Sequence, residues 1–423
     1  MTQAAPTAAA DTADAAADLS RARRRALTVL VVSQALGGAG MAAGITVGAL
    51  LAQDLFGSAG LAGLPAALFT AGGALGAAAL GRVCQRFGRR PGLTLGNAAA
   101  ALGSAGVVAG AAARWPVLLL AALFVYGAGT ATGLLARYAG ADLAPPERRG
   151  RAAGTVLFAM TLGAIAGPNL VGPTGALAHA WGVPRLAGPF LLAAAAYTAA
   201  ALVLLVWLRP EPLLPARPAE PHGPHGAPDE PGAGPRRPVR GAPGVVTGAT
   251  VMITAQLVMI AVMTMTPVHL AGHGHTTQAV GLVIALHVGA MFLPSPLIGL
   301  LADRVGGRRV ADAAGAVLLG AGLLAALAPP ASVALSACAL VLLGVGWNLA
   351  LLGGTALITD AAPAGDRAAV QGLADVGMSV AGATGGMASG LVMGSGGYPV
   401  LAAAAGALAL AVIPAVALRG TRR

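Results

Sequence analysis

The chain has no lysine, only two cysteines and very little charge. Charged residues make up 10% of its 423 positions, against about 25% in soluble globular domains. That scarcity excludes an ordinary water-soluble globule. The missing lysine, set beside abundant alanine and glycine, reflects the codon bias of a GC-rich genome rather than a function. Cys84 and Cys338 are too few and too far apart for a disulfide framework or a thiolate metal site. The apolar stretches hold no His/Glu metal cluster and no serine nucleophile with a base, so neither an intramembrane enzyme nor a cofactor or metal is expected.

What the chain does have is hydrophobic length: 57% of its residues are hydrophobic. Apolar runs of about twenty residues recur along it, the pattern of membrane helices. Spans 1 to 6 are expected near 27–51, 60–81, 91–113, 115–138, 152–178 and 187–208. Spans 7 to 12 are expected near 245–270, 279–301, 309–328, 332–358, 368–394 and 398–418. The fold class is therefore all-α integral membrane, with a six-helix bundle over 26–208 and another over 244–418. Residues 1–25 read as a disordered tail, 209–243 as a disordered Pro-rich loop and 419–423 as a short tail.

The net charge of +11 would suggest nucleic acid in a soluble protein. Here the arginines fall in the turns between spans, so the lipid bilayer is the partner and no nucleic acid is expected. One side receives Arg21–Arg25, Arg82–Arg90, Arg137–Arg151, the central loop, Arg304–Arg309, Arg367 and the C-terminus. The other side receives Arg114 and Arg185. Under the positive-inside rule both termini are expected to be cytoplasmic, and a bacterial inner membrane is the expected location of this multi-pass protein.

The turn after span 8 reads Gly299-Leu-Leu-Ala-Asp303-Arg304-Val-Gly306-Gly-Arg308-Arg309. An altered copy follows span 2: Gly81-Arg82-Val-Cys-Gln85-Arg86-Phe-Gly88-Arg-Arg90. A constant step of 218 residues relates them, and it also carries Asp142 to Asp360, Pro145 to Pro363 and Arg149 to Arg367. The chain is a duplication. Two related six-helix halves joined by a long loop are the build of rocking transporters, whose substrate lies between the halves at mid-membrane.

The turn Gly299-x3-Asp303-Arg304-x-Gly306-x-Arg308-Arg309 resembles the signature of the major facilitator superfamily, in its second-half position. The resemblance covers all but the tail and the central loop, and it implies alternating access by a secondary transporter of a small molecule. Gly163-x3-Gly167-Pro168 with Gly172-Pro173 in span 5 resembles, incompletely, the motif of that family's drug/proton antiporter branch. Its expected use is a packing hinge sliding against span 8. The arginine which that branch places in span 4 is Leu123 here.

Ionisable groups inside hydrocarbon are costly and default to functional hypotheses. Asp375 in span 11, His287 in span 8 and Asp54 at the outer end of span 1 are the coupling candidates, with protons as the expected co-substrate. His269, His273 and His275 lie near the outer end of span 7. By the family's arrangement Arg82, Gln85, Arg86, Gly88, Arg90, Gly299, Asp303, Arg304, Gly306 and Arg308 form the cytoplasmic gate. Gln85 stands where the signature has an acid, so Asp375 is expected to compensate by pairing with Arg82 or Arg86. Spans 1, 4, 7 and 10 are the family's cavity helices, which makes Gln34, Tyr126, Gln256, Trp347 and Asn348 the candidate cargo contacts. The cavity lacks fixed charge, so a small, relatively apolar cargo is expected. Proton-coupled export by a monomer is the leading expectation, with import, uncoupled facilitation and a non-transporting sensor as alternatives.

Overall fold

The computed structural model describes residues 17–41, 64–209, 211, 242–363, 365–410 and 412. Among them the regular elements are helices, with no strand. Nine helices among the described residues are long and apolar enough to cross a membrane. Span 1 begins as a helix over 17–41. Spans 2 and 3 are Leu64–Phe87 and Arg89–Ala112. Span 4 is two helices in line, Pro116–Thr130 and Thr132–Leu143. Span 5 is Arg149–Asn169 continued by Val171–Ala180, and span 6 is Gly188–Trp207. In the second half, span 7 is Pro243–Gly272, and span 8 is Thr277–Phe292 plus Ser295–Val305. Spans 9 and 10 are Gly307–Leu327 and Val333–Ala361. Spans 11 and 12 run on as Arg367–Ala409, with a corner at Gly397 (φ 76°, ψ 174°).

Span 2 runs on to Phe87, past its expected end at 81, and three further departures from the sequence reading bear on the site. Helix is already formed at residue 17, so the tail expected to be disordered to residue 25 is helical over 17–25. Span 4 runs on to Leu143, which moves Arg137 from a turn into a helix interior. At the start of the central loop Glu211 is anchored: its carboxylate accepts the backbone N–H groups of Arg89 and, at 3.0 Å, Arg90. A carboxylate on the free N–H groups of a helix start meets both their hydrogen-bonding need and the helix dipole.

Burial is inverted relative to a soluble protein. Leu102, Leu327 and Leu391 are 72%, 80% and 77% exposed, whereas the side chains of Arg89 and Asp142 are fully buried. Lipid is as apolar as leucine, so helices associate here by close backbone approach and by polar contacts rather than by the hydrophobic effect. The two halves also share core: Ala141, Ala153, Leu157 and Met160 of spans 4 and 5 pack into the hydrophobic cluster of the second half.

The two signature turns are built alike. Gly88 (φ 101°, ψ 171°) and Gly306 (φ 87°, ψ 148°) each reverse the chain between one span and the next. That backbone region is nearly glycine-only, and another residue in it costs about 1–3 kcal/mol. Gly306→Ala is therefore expected to lower the thermal midpoint in detergent. Gly320→Ala, where an added Cβ meets nothing within 4 Å, leaves that midpoint unchanged or raises it.

Candidate functional site

The halves meet at the arginine-rich end through two contacts related by the 218-residue step. In one, span 5 starts against the end of span 8. Asp303 Oδ1 accepts the N–H of Gly150 at 2.6 Å and Oδ2 that of Arg151 at 2.9 Å. In the other, span 11 starts against span 2, and Gln85 Oε1 accepts the N–H of Ala369 at 3.2 Å. Gln85 and Asp303 are repeat equivalents, and so are Ala369 and Arg151. Gln85 thus keeps one of the two hydrogen bonds that Asp303 makes and gives up the other together with the charge. Restoring that charge beside a helix N-terminus is worth about 0.3–1 kcal/mol. Gln85→Asp is expected to slow opening of this contact about two- to fivefold. Cys84 reports it, being fully buried against Ala368 across the contact; the readout is its thiol-labelling rate in a Cys338→Ser background.

Charged residues cross between the halves with the same symmetry. Arg367 donates to Asp142 at 3.4 Å, and Arg149 to Asp360 at 3.3 Å. Both partners in one pair are the repeat equivalents of those in the other. The first pair is buried, whereas Asp360 is 68% exposed. Behind the first lies a network without counterpart. Arg89 holds Asp142 through Nε and Nη2, both at 3.0 Å, and Nη2 also donates to Gln371. Gln371 in turn donates to Thr359 at 3.2 Å.

Asp375 belongs to this network. Its Oδ1 accepts from Arg137 Nη2 at 2.7 Å and from the Tyr138 hydroxyl at 3.4 Å. Arg137 also donates to Thr355 Oγ1 at 3.0 Å and to the Leu134 carbonyl at 2.5 Å, and lies 4.1 Å from the Tyr138 ring centroid. The expected pairing of Asp375 with Arg82 or Arg86 is thus corrected. Both of those arginines are exposed, and the partner is the wholly buried Arg137. The expected compensation falls with it, because Gln85 already serves the start of span 11. Asp375 Oδ2 and Arg89 Nη1 are buried with no hydrogen-bond partner among the described residues.

The remaining candidates divide. His287 is fully buried and its Nδ1 lies 2.7 Å from the Leu340 carbonyl, so Nδ1 carries a proton and clamps span 8 to span 10. Asp54 lies outside the described residues. His269 stacks on Tyr398 with ring centroids 4.3 Å apart. In span 5, Gly163 packs against span 1, where an added Cβ would lie 1.9 Å from the Ala35 carbonyl oxygen, and a Cβ at Gly172 meets nothing within 4 Å among the described residues. The expected contact with span 8 is made instead by Gly150 and Gly154. The side chains around Gly167 and Pro168 lie outside the described residues.

The expected cavity residues are mostly clamps between helices. Gln34 donates to the Gly133 carbonyl at 2.8 Å, and Asn348 to Ser295 at 2.9 Å. Tyr126 donates to the Gly40 carbonyl at 3.0 Å within a ring cluster of Phe69, Phe190 and Tyr197. That places Tyr126 and Asn348 in the packed interiors of their own halves. Trp347 donates to Gln256 at 2.7 Å, and Gln256 is the partly exposed member of the pair. Sequence reasoning missed Arg89, Arg137, Tyr138 and Gln371. The usable signal was Asp142, a second acid among apolar residues that needed a buried cation.

Comparison with known proteins gives a consistent picture. The chain matches the family model described as Major Facilitator Superfamily over residues 29–350 and 248–423. It is 47% identical over 393 residues to the uncharacterized MFS-type transporter YddS of Bacillus subtilis, covering 93% of this chain and 90% of that one. It is 32% identical over 363 residues to the riboflavin transporter RfnT of Brucella anthropi, covering 84% and 85%. Among solved structures, the human organic anion transporter MFSD10 aligns with a TM-score of 0.71 at 18% identity, over 93% of this chain and 99% of that one. The proton:xylose symporter XylE aligns at 0.72 and 17% identity, over 93% and 95%. At those identities the structures share the fold alone.

Proposed function

This chain belongs to the Major Facilitator Superfamily, and from that premise we propose that it is a proton-coupled exporter of a small, relatively apolar molecule. It is a multi-pass membrane transporter and not an enzyme. In the proposed orientation the arginine-rich end, both termini and the central loop face the cytoplasm of a bacterial cell, and the transporter acts as a monomer.

The observation that carries the reading is the buried Asp375–Arg137 pair, 2.7 Å long and spanning the two halves. An ion pair taken out of water holds its geometry firmly, and loss of either charge leaves the other uncompensated. Asp375 is the member that can lose its charge by taking up a proton. Its Oδ2 has no hydrogen-bond partner among the described residues and can take up that proton. Protonation from the outer side then releases Arg137 and lets the cytoplasmic end part. The proton leaves to the more alkaline cytoplasm, cargo binds, and re-formation of the pair returns the protein to the outward-open state. His287 stands apart from this cycle, with Nδ1 committed to a carbonyl.

The test is flux into proteoliposomes for a panel of small neutral and cationic aromatic compounds, with and without an imposed pH gradient. Riboflavin belongs in the panel because a relative 32% identical carries that name. One pH unit is worth about 1.4 kcal/mol per proton, so one-for-one exchange sustains about tenfold accumulation of cargo on the acidic side. Accumulation on the alkaline side identifies a symporter instead, and flux indifferent to the gradient removes the coupling.

A further inference from the structure

The two cross-half contacts are related by the repeat, but only one of them is filled. Beside the span 5–span 8 contact lies a cavity of about 150 Å³, opening at the arginine-rich end. Its wall includes Ala153, Gly307, Thr355, Ala356, Thr359 and the carboxylates of Asp303 and Asp360. Stepping back 218 residues, Gly307 becomes Arg89, Thr355 becomes Arg137 and Ala356 becomes Tyr138. Stepping forward, Ala153 becomes Gln371. Four large polar side chains thus fill on one side the space that a glycine, a threonine and two alanines leave open on the other. The fold alone does not require a void here.

The cavity and the network share a wall. Thr355 lines the cavity and accepts from Arg137 at 3.0 Å. Thr359 lines it too and accepts from Gln371 at 3.2 Å. A polar cavity of this size, with carboxylates, hydroxyls and the Arg149 guanidinium around it, has room and partners for several waters. Arg137 bridges the cavity wall and Asp375, donating to Thr355 and to the carboxylate, and a fixed guanidinium repels an excess proton.

We propose that this cavity is a water-filled vestibule through which the proton on Asp375 leaves to the arginine-rich side, with Arg137 as its guard. While Arg137 holds Asp375, its charge bars protons in the vestibule from the carboxylate. When Asp375 is protonated and the pair parts, the O–H proton passes to a vestibule water and leaves as hydronium. The carboxylate left behind recaptures the guanidinium. The groups facing Asp375 and the vestibule are Arg137 and Tyr138 of span 4, Arg89 of span 3, Arg149 of span 5, Asp303 of span 8 and Asp360 of span 10. This route rests on the proton-coupled reading above, but the hydration of the vestibule is measurable without it.

The first measurement is thiol labelling of Ala356→Cys in a Cys84→Ala, Cys338→Ala chain. A membrane-impermeant cationic methanethiosulfonate is applied from the arginine-rich side. Ala139, fully buried in the filled half, supplies the control Ala139→Cys. Because thiol reactivity follows exposure, Ala356→Cys is expected to react at least about 100-fold faster. Equal rates mean a dry cavity and overturn the proposal. The second measurement fills the vestibule by Ala356→Tyr, the residue the other half carries, and by the smaller Ala356→Leu in case tyrosine impairs folding. Both should slow gradient-driven flux several-fold while leaving cargo-for-cargo exchange intact. An equal fall in both modes overturns the proton route. If wild-type flux ignores the pH gradient, the coupling fails, and the labelling result still decides whether the vestibule is wet.

Discussion

Asp375→Asn should raise the rate at which a thiol reagent reaches Cys84 by about two to three and a half orders of magnitude. The arithmetic starts from burial: Arg137 and Asp375 are 0% and 3% exposed. Removing one member of such a pair costs about 3–5 kcal/mol, because the other charge stays in the low-dielectric interior. That cost falls on the closed state, in which spans 4 and 11 are pressed together. At 1.4 kcal/mol per tenfold, the closed-to-open ratio drops by the factor just given. Cys84, buried against Ala368 of span 11, registers the loss directly. Arg137→Gln should act alike, and the double substitution should be milder than the sum of the two, since residues in one ion pair are strongly coupled. Gradient-driven transport should be lost in all three. Arg86→Ala is the control. Arg86 is exposed, with its guanidinium over Phe87, and its loss should stay within about 0.5 kcal/mol. A large effect of Arg86→Ala with none from Arg137→Gln would mean that the latch runs through the signature turn instead.

Gly154→Ala should be nearly as damaging, with no charge involved. An added Cβ at Gly154 would lie 2.1 Å from the Ser295 carbonyl oxygen, and one at Gly299 would lie 2.1 Å from that of Gly150. Both obstacles are backbone, so neither can rotate aside and the helices themselves must separate. Overpacking of this kind costs about 1–3 kcal/mol and occasionally more. Here it also draws the N–H groups of Gly150 and Arg151 off Asp303, to which they donate at 2.6 and 2.9 Å. The expected result is a lower thermal midpoint, an arginine-rich end that closes poorly and transport reduced at least tenfold, since alternating access needs both closed states. Gly172→Ala, with nothing among the described residues within 4 Å of the added Cβ, should behave as wild type. If Gly172→Ala proved the harmful one, the span 5 hinge would lie at its Gly-Pro end.

Much of this site was legible before any coordinates. A carboxylate in hydrocarbon marks itself, so Asp375 stood out by composition alone. The 218-residue step paired Asp142 with Asp360 and Arg149 with Arg367, and a pseudo-symmetric fold could only bring those four together in related ways. The partner of Asp375 was not legible. Arg137 lies near a helix end whose position the sequence leaves open by several residues, and five more residues of helix turn it from a turn arginine into a buried one. Nor was it legible that Gln85 keeps a contact, because an amide still offers a helix start one of the two acceptor oxygens of a carboxylate. Tyr126 and Asn348 show the same limit: a polar residue in a span must face a partner, and periodicity does not say whether that partner is cargo or a neighbouring helix.

The sequence by itself determined that the chain lives in a membrane, that it is two copies of one design, and where its charges could not be idle. Hydrocarbon penalises unpaired polar groups so heavily that composition alone carries those conclusions. Tertiary structure alone decided which arginine meets which aspartate and which of two equivalent spaces stays open. Those depend on side chains 53 to 238 residues apart, whose meeting is set by how closely helix backbones approach.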